Sequence, residues 1–366
     1  MARLALVILW LPSLLFSTVV FILCSNYIMN NQNLMIMHKN EKEFQAIDLF
    51  RSEELAKAVK SLPPNYGVML LNQHALPMTL NWLCNTYYMN IHRKILFFVL
   101  DSTSREGILL KYPNLTIFQW NTLSLKAHFK PFDATYMSFF LMRTNLIQAL
   151  QFYEKPFWML QADTIWASNP LPSLEKLNHF DILVDQQGYE GVAESRKNIM
   201  NGANFYVPVG ETSKALVHSW INWQRWIYIT DPDIVKMFCL SGQFSCGYIP
   251  HNLISGWEWI YGDQTNAPML IQMDGETDGG KERVLAKYGF WFLNKKLECK
   301  RDQVRKAITH IREGTVPQVY SASKAKQNTV LKIGEWLNQM PIFGYYSSIY
   351  GGITSLYLQL FNFSLQ

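Results

Sequence analysis

The chain has 366 residues, 49% hydrophobic and 17% charged, enough to bury one large core or two ordinary ones. Its net charge of +5 is too small to point to a nucleic-acid partner, and the composition excludes a long disordered acidic or basic tail. The first element is the run Leu4–Cys24, which follows Met1-Ala-Arg3 and carries no charge. At 1.5 Å per residue it spans about 30 Å, the thickness of a bilayer core. It is longer than the apolar region of a cleaved signal peptide, about 7–15 residues, and no A-x-A site follows it. The run predicts a single-pass type II signal anchor, with residues 1–3 cytoplasmic, 4–24 in the membrane and the rest in the secretory lumen. A cleaved signal is the alternative.

Residues 25–64 are polar, contain "NNQN" and "HKNEKEFQ", and end at Pro63-Pro64. They read as a stem, partly helical around Glu41–Lys60. From residue 65 strand-like and helix-like runs alternate: Gly67–Asn72, Lys94–Asp101 and Leu115–Trp120 as strands, then Tyr136–Phe152 as a buried helix. Phe157–Gln161, Asp181–Asp185 and Asn204–Val207 follow as strands, a helix starts at Thr212, and Ser323 caps a late one. This interleaving predicts an α/β sandwich with a mostly parallel central sheet over residues 65–340. In such sheets ligands sit beyond the carboxyl ends of the strands. Asn72, Asp101, Asp163 and Asp185 fall there. Residues 341–366 form a tail without a charged side chain.

Four cysteines follow Cys24, and they permit three pairings; Cys239 with Cys246, closing a small loop, would leave Cys84 with Cys299. Buried free thiols are the alternative. Asn114-Leu-Thr116 and Asn362-Phe-Ser364 are glycosylation sequons. Between Lys281 and Lys332 there are thirteen Lys/Arg and four Asp/Glu, a local +9 that suits an anionic ligand or a solvated basic face.

The segment "PFWMLQADTIWASNP" (Pro156–Pro170) is a hydrophobic strand delivering one acid, Asp163, to its end. Its layout resembles the strand–D-x-D–x-x-W–x-x-x-P element of the nucleotide-diphospho-sugar transferase family, with Gln161 at the first acid. "NGANFYVPVGETSKALVHSW" (Asn201–Trp220), "GDQTNAPML" (Gly262–Leu270) and the segment Ile308–Leu337 resemble further family elements in the same order. The resemblance covers residues 65–337 and implies a GT-A (Rossmann-like) fold and a metal-assisted glycosyltransferase with a retaining outcome. A nucleotide-sugar would be the donor and a glycan or glycoprotein hydroxyl the acceptor.

The same resemblance implies roles residue by residue. Asp163 would bind Mn²⁺ or Mg²⁺, with His310 as second ligand; carboxylate plus imidazole suits Mn²⁺ better. Asn72 and Arg143 would contact the nucleotide, Asn201 and Gly202 the donor sugar, and Lys324 or Lys326 the diphosphate. Asp263 and Gln264 would face the acceptor or the reacting carbon, with Asp185 a competitor for the catalytic role. Each has a plain alternative: Asp163 as a turn cap, Arg143 paired with an internal carboxylate, Trp166, Trp257 and Trp259 in the core rather than stacked on sugars. Gln161 removes a charge at the expected metal position. A membrane-anchored nucleotide- or glycan-binding protein on the same scaffold, without turnover, is therefore the competing function.

Overall fold

The computed structural model describes residues 28–319 except 129, 131–132, 175–178, 190–199 and 274–279, together with residues 17, 24–25, 329 and 336. The span 4–24, apart from residues 17 and 24, and the whole tail 341–366 lie outside the described residues. Among the described residues no helix is long and apolar enough to cross a membrane.

Six hydrophobic runs form the strands the sequence predicts: β1 (Tyr66–Leu71), β2 (Ile95–Val99), β3 (Thr116–Gln119), β4 (Phe157–Met159), β6 (Ile182–Gln186) and β7 (Met200–Val207). With β8 (Cys246–Tyr248) they make a seven-stranded sheet in the order β3-β2-β1-β4-β7-β6-β8. β7 runs antiparallel to both neighbours and the other pairings are parallel. The expected α/β architecture with a mostly parallel sheet is what the chain adopts.

Strand alternation sends neighbouring side chains to opposite faces, so adjacent large residues serve two cores. Phe97 and Trp158 pack with Trp82, Trp166 and Trp257 on one side. Phe98 and Phe157 pack with Leu141, Phe205 and Trp220 on the other. Trp166, Trp257 and Trp259 are all buried, which settles them as core residues rather than sugar platforms.

Four of the longer helices flank the sheet: α3 (Leu76–Thr86), α4 (Ser102–Lys111), α5 (Ala134–Gln151) and α6 (Glu211–Trp226). Helix α5 is the apolar one expected, and the Asp133 carboxylate caps it by accepting from the Tyr136 amide at 2.7 Å. Two shorter helices, α1 (Ala46–Phe50) and α2 (Glu53–Ser61), precede the sheet. They fall around Glu41–Lys60, where the sequence predicts helix, and they pack against the second core. Phe44, Leu49, Leu55 and Val59 are fully or almost fully buried in the second core, the Ala46 amide donates to Asn145 Oδ1, and Glu41 pairs with Arg225 at 2.8 Å. Among the described residues the second core reaches back to Met37.

A smaller three-stranded sheet, β5 (Thr164–Trp166), β10 (Leu270–Gln272) and β9 (Ile254–Ser255), in that order, follows directly from β4. β10 is antiparallel to β5, with Gln272 opposite Thr164. Three further helices are α7 (Asp231–Leu240), α8 (Lys281–Lys287) and α9 (Arg301–Glu313). Cys84 is joined to Cys299 and Cys239 to Cys246, one of the three pairings the sequence permits.

Candidate functional site

Strand order reverses between β1 and β4: the chain passes from β1 outward through β2 and β3, then returns to β4 on the other side of β1. Such a switch point opens a crevice beyond the carboxyl ends. In register, Val68 lies beside Met159 and Leu71 beside Val99, so the residues just after β1, β2 and β4 share one edge. Antiparallel β7 brings its first residues to that edge, and β6 brings its last.

Six side chains, of Asp163, Gln272, Lys281, Gln161, Arg143 and Asp231, join there into a continuous polar network. Asp163 follows β4 and is buried. Its Oδ1 accepts from Gln272 Nε2 at 3.2 Å, and its Oδ2 forms an ion pair with Lys281 Nζ. In the orientation that satisfies both its neighbours, the Gln161 amide donates to Asp163 Oδ1 at 3.1 Å and accepts from Arg143 Nη1 at 3.2 Å. Arg143, projecting from α5, donates through Nε to the Asp231 carboxylate and through Nη2 to the Gly202 carbonyl at 3.2 Å. Its guanidinium also lies 5.3 Å from the ring centroids of Phe140 and Phe205. Burial raises the Asp231 carboxyl to about 6, against the downward pull of Arg143.

Asn204 links this network to a second carboxylate. Its Oδ1 accepts from the Gln161 backbone N–H at 3.2 Å, and its Nδ2 donates to Gln272 Oε1 at 2.7 Å and Asp185 Oδ2 at 3.0 Å. Asp185 also accepts from the backbone amides of Gly202, Ala203 and Asn204 at 2.9, 3.1 and 2.9 Å. Burial pushes its carboxyl up to about 6, while these four donors pull it down. Gly202 has φ +75°, and an added Cβ would stand 2.7 Å from Pro232 Cβ. Only glycine fits where Arg143 and Asp185 clamp the two sides of one residue.

The remaining expected site residues fall as follows. Asn72 ends β1, its Oδ1 accepting from the His74 amide and its Nδ2 donating to the Leu125 carbonyl at 3.2 Å. Asn201 is half-buried at the start of β7. Asp263 is exposed; its Oδ1 accepts from the Thr265 amide and hydroxyl, both at 2.9 Å, and these bonds lower its carboxyl. Gln264 is buried with its amide committed to backbone: it donates to the Ile260 and Val316 carbonyls and accepts from the Val316 amide. His310, in the last turn of α9, is exposed and bonds Thr315 Oγ1 at 2.8 Å. Lys324 and Lys326 lie outside the described residues. The partner of Arg143 is thus an internal carboxylate, not an open phosphate position. Sequence reading did not single out Lys281, Gln272, Asn204 or Asp231, although Lys281 opens the basic block it had noted.

Residues 90–285 match the family model described as nucleotide-diphospho-sugar transferase, more than half of the chain. The chain belongs to the nucleotide-diphospho-sugar transferase family. The matched span contains the whole Asp163–Arg143–Asp185 network and ends before His310. No curated protein matches by sequence. Among solved structures the fold is similar to the WbbM bifunctional glycosyltransferase in its apo form, at 12% identity, with TM-score 0.38 over 68% of this chain and 51% of that one. This chain therefore spans about half of that protein. It is also similar to the galactosyltransferase LgtC bound to donor and acceptor sugar analogues (12% identity, TM-score 0.38, 71% and 99% covered). A third is mouse xyloside xylosyltransferase 1 (9% identity, TM-score 0.39, 58% and 98% covered).

For this nucleotide-diphospho-sugar transferase, a divalent ion held by Asp163 and His310 does not fit the donor set present. Gln161 is neutral, the Asp163 carboxylate is already held by Lys281 and two amides, and the His310 imidazole is bonded to Thr315. Among the described residues no three His, Cys, Asp or Glu side chains come together as such an ion requires.

Proposed function

We propose that the protein transfers a sugar from a nucleoside-diphosphate donor to a hydroxyl of a glycan or glycoprotein. The observation that carries this reading is the polar network centred on Asp163 at the switch point of a family-typical sheet. In the transfer, the bond from the anomeric carbon to the β-phosphate oxygen breaks and its electron pair stays on the diphosphate. The acceptor oxygen bonds the carbon, and the hydroxyl proton leaves with the diphosphate or to solvent. We assign retention, with the acceptor attacking from the face the diphosphate leaves, on the family resemblance.

The residues divide by what they touch. Asn201 and the Gly202 peptide are proposed to meet the donor sugar. Asp185 and Arg143 are positioning residues, since both are buried and hold Gly202 from either side. Asn72 is proposed to border the nucleotide from the end of β1. Exposed Asp263 is proposed to face the acceptor, and Lys324 and Lys326 the diphosphate. Mn²⁺ or Mg²⁺ is not carried forward as a ligand of Asp163 and His310, for the reason given above.

A luminal, type II placement in the Golgi or endoplasmic reticulum goes with this chemistry. The uncharged run Leu4–Cys24, the two disulfides and the exposed Asn114 of a sequon support it. The test is release of nucleoside diphosphate from a panel of UDP- and GDP-sugars by the full chain, with and without glycan acceptors. Turnover of one donor class, lost in Asp163→Asn, is the expected result. Donor binding without turnover would favour the non-catalytic alternative, for which Gln161 speaks.

A further inference from the structure

The site keeps one carboxylate where the family pattern has two, and that carboxylate is already satisfied by a cation from its own chain. Lys281 lies at the start of α8, and its Nζ pairs with Asp163 Oδ2. The two partners differ in access: the Asp163 side chain is 6% exposed and the Lys281 side chain 39%. The carboxylate faces inward, toward Gln161 and Gln272, while the Lys281 side chain is partly exposed.

Charge bookkeeping matches the geometry. Two carboxylates with a divalent ion sum to zero, and so do one amide, one carboxylate and one ammonium. Replacing the first acid by Gln161 is therefore the change expected if a monovalent cation, rather than a divalent one, stands at this place. With an acid there instead, Arg143 and Lys281 would together leave little room for a third positive group; with Gln161, the amide passes one hydrogen bond to each side. Buried charge is tolerated when paired, and Asp163 is paired without help from outside the chain.

We infer that Lys281 takes the place of the divalent cation, so that this chain holds the diphosphate of a nucleoside-diphosphate donor through an ammonium group and without metal. Asp163 is then a positioning residue that aims Lys281, not a metal ligand. An ammonium donates to phosphate oxygens and neutralises part of the charge that grows on the leaving diphosphate. The inference rests on the transferase reading for its ligand class.

The experiment is calorimetry of the full chain with UDP and with GDP, in excess EDTA and in MnCl₂, on wild type, Lys281→Met, Lys281→Arg, Asp163→Asn and the neutral pair Asp163→Asn/Lys281→Met. Circular dichroism checks folding, and the neutral pair guards against a lone buried carboxylate unfolding the single variant. Wild type is expected to bind one nucleotide in EDTA within about threefold of its affinity in Mn²⁺. Lys281→Met and the neutral pair should weaken that binding about tenfold or more, Lys281→Arg should keep most of it, and Asp163→Asn should weaken metal-free binding less than Lys281→Met does without abolishing it. Binding that appears only with Mn²⁺, survives in Lys281→Met and is lost in Asp163→Asn overturns the inference and leaves the transferase reading standing. Metal-free binding untouched by Lys281→Met also overturns it. No binding of either nucleotide under either condition, from folded protein, overturns the transferase reading itself.

Discussion

Lys281 and Asp163 stand 118 residues apart in the sequence and meet as an ion pair at the carboxyl edge of the sheet. β5 and β10 pair antiparallel beside it, placing Gln272 opposite Thr164 and the Met273 amide on the Asp163 carbonyl at 2.9 Å. Around that pair the protein gathers Gln161, Gln272, Asn204, Asp185, Arg143 and Asp231 into one connected polar layer. Each neighbour constrains the next, which makes the layer testable piece by piece.

The Arg143–Asp231 pair is the innermost part. Both side chains are buried, so removing one leaves the other without compensation. Arg143→Met is expected to lower unfolding free energy by roughly 3–5 kcal/mol, and Asp231→Asn added to it should recover part of that loss. Urea denaturation of the two variants checks this. Additive losses would show that the two side chains are not coupled.

Gly202 carries the clamp between Arg143 and Asp185. Gly202→Ala forces a side chain into the left-handed region and against Pro232, at a cost of about 1–3 kcal/mol from the backbone alone. Nucleotide binding should fall more than stability does, because the Gly202 peptide is proposed to meet the donor. Paired calorimetric and denaturation measurements would separate the two effects. Unchanged binding would remove Gly202 from the proposed donor site.

Asp185 supplies a pH signature. Its carboxyl is raised from its ordinary value to about 6 in the folded chain, so the folded state holds the proton more tightly than the unfolded one. Its contribution to stability is therefore full below about pH 4 and is lost as pH rises through about 6, by roughly 3 kcal/mol for a shift of about two units. The stability gap between wild type and Asp185→Asn should narrow by about that much from pH 4 to pH 7. A gap that widens would mean the four donors outweigh burial.

The N-terminal boundary is equally open to test. A protein starting at residue 64 loses Phe44, Leu49, Leu55 and Val59 from the second core. At roughly 1.5–3 kcal/mol for each large apolar side chain, the loss is comparable to the whole stability of a domain. Such a truncation should be insoluble or unfolded, while one starting at residue 28 should give a cooperative thermal transition. Equal melting of both would return residues 37–62 to the role of a spacer.

The legible parts of the fold are those with long one-character signals. β1, β2, β4 and α5 are hydrophobic runs that nothing else in the chain could absorb, and the turn acids after them marked the ligand edge. β5, β9 and β10 have two or three residues each, too short for any periodicity to register. Helices α1 and α2 fall where the sequence predicts helix; what it did not announce is that Leu49, Leu55 and Val59 on them join the second core. Asp163 and Gln161 stood out locally, but their significance depended on Lys281 and Gln272, which only the small sheet brings near. Arg143 was recognised as needing an anion; its partner, Asp231, follows in a helix whose position no local pattern announced.

The central claim is that the carboxyl edge around Asp163 receives a nucleoside-diphosphate donor, and hydrogen–deuterium exchange tests it most directly. The full chain would be compared with and without saturating UDP, and likewise GDP. The account requires slowed exchange concentrated in the backbone after β1, after β4, at the start of β7 and at the start of α8, with distant surfaces such as α2 unchanged. Protection confined to other surfaces, or none with either nucleotide, would contradict it.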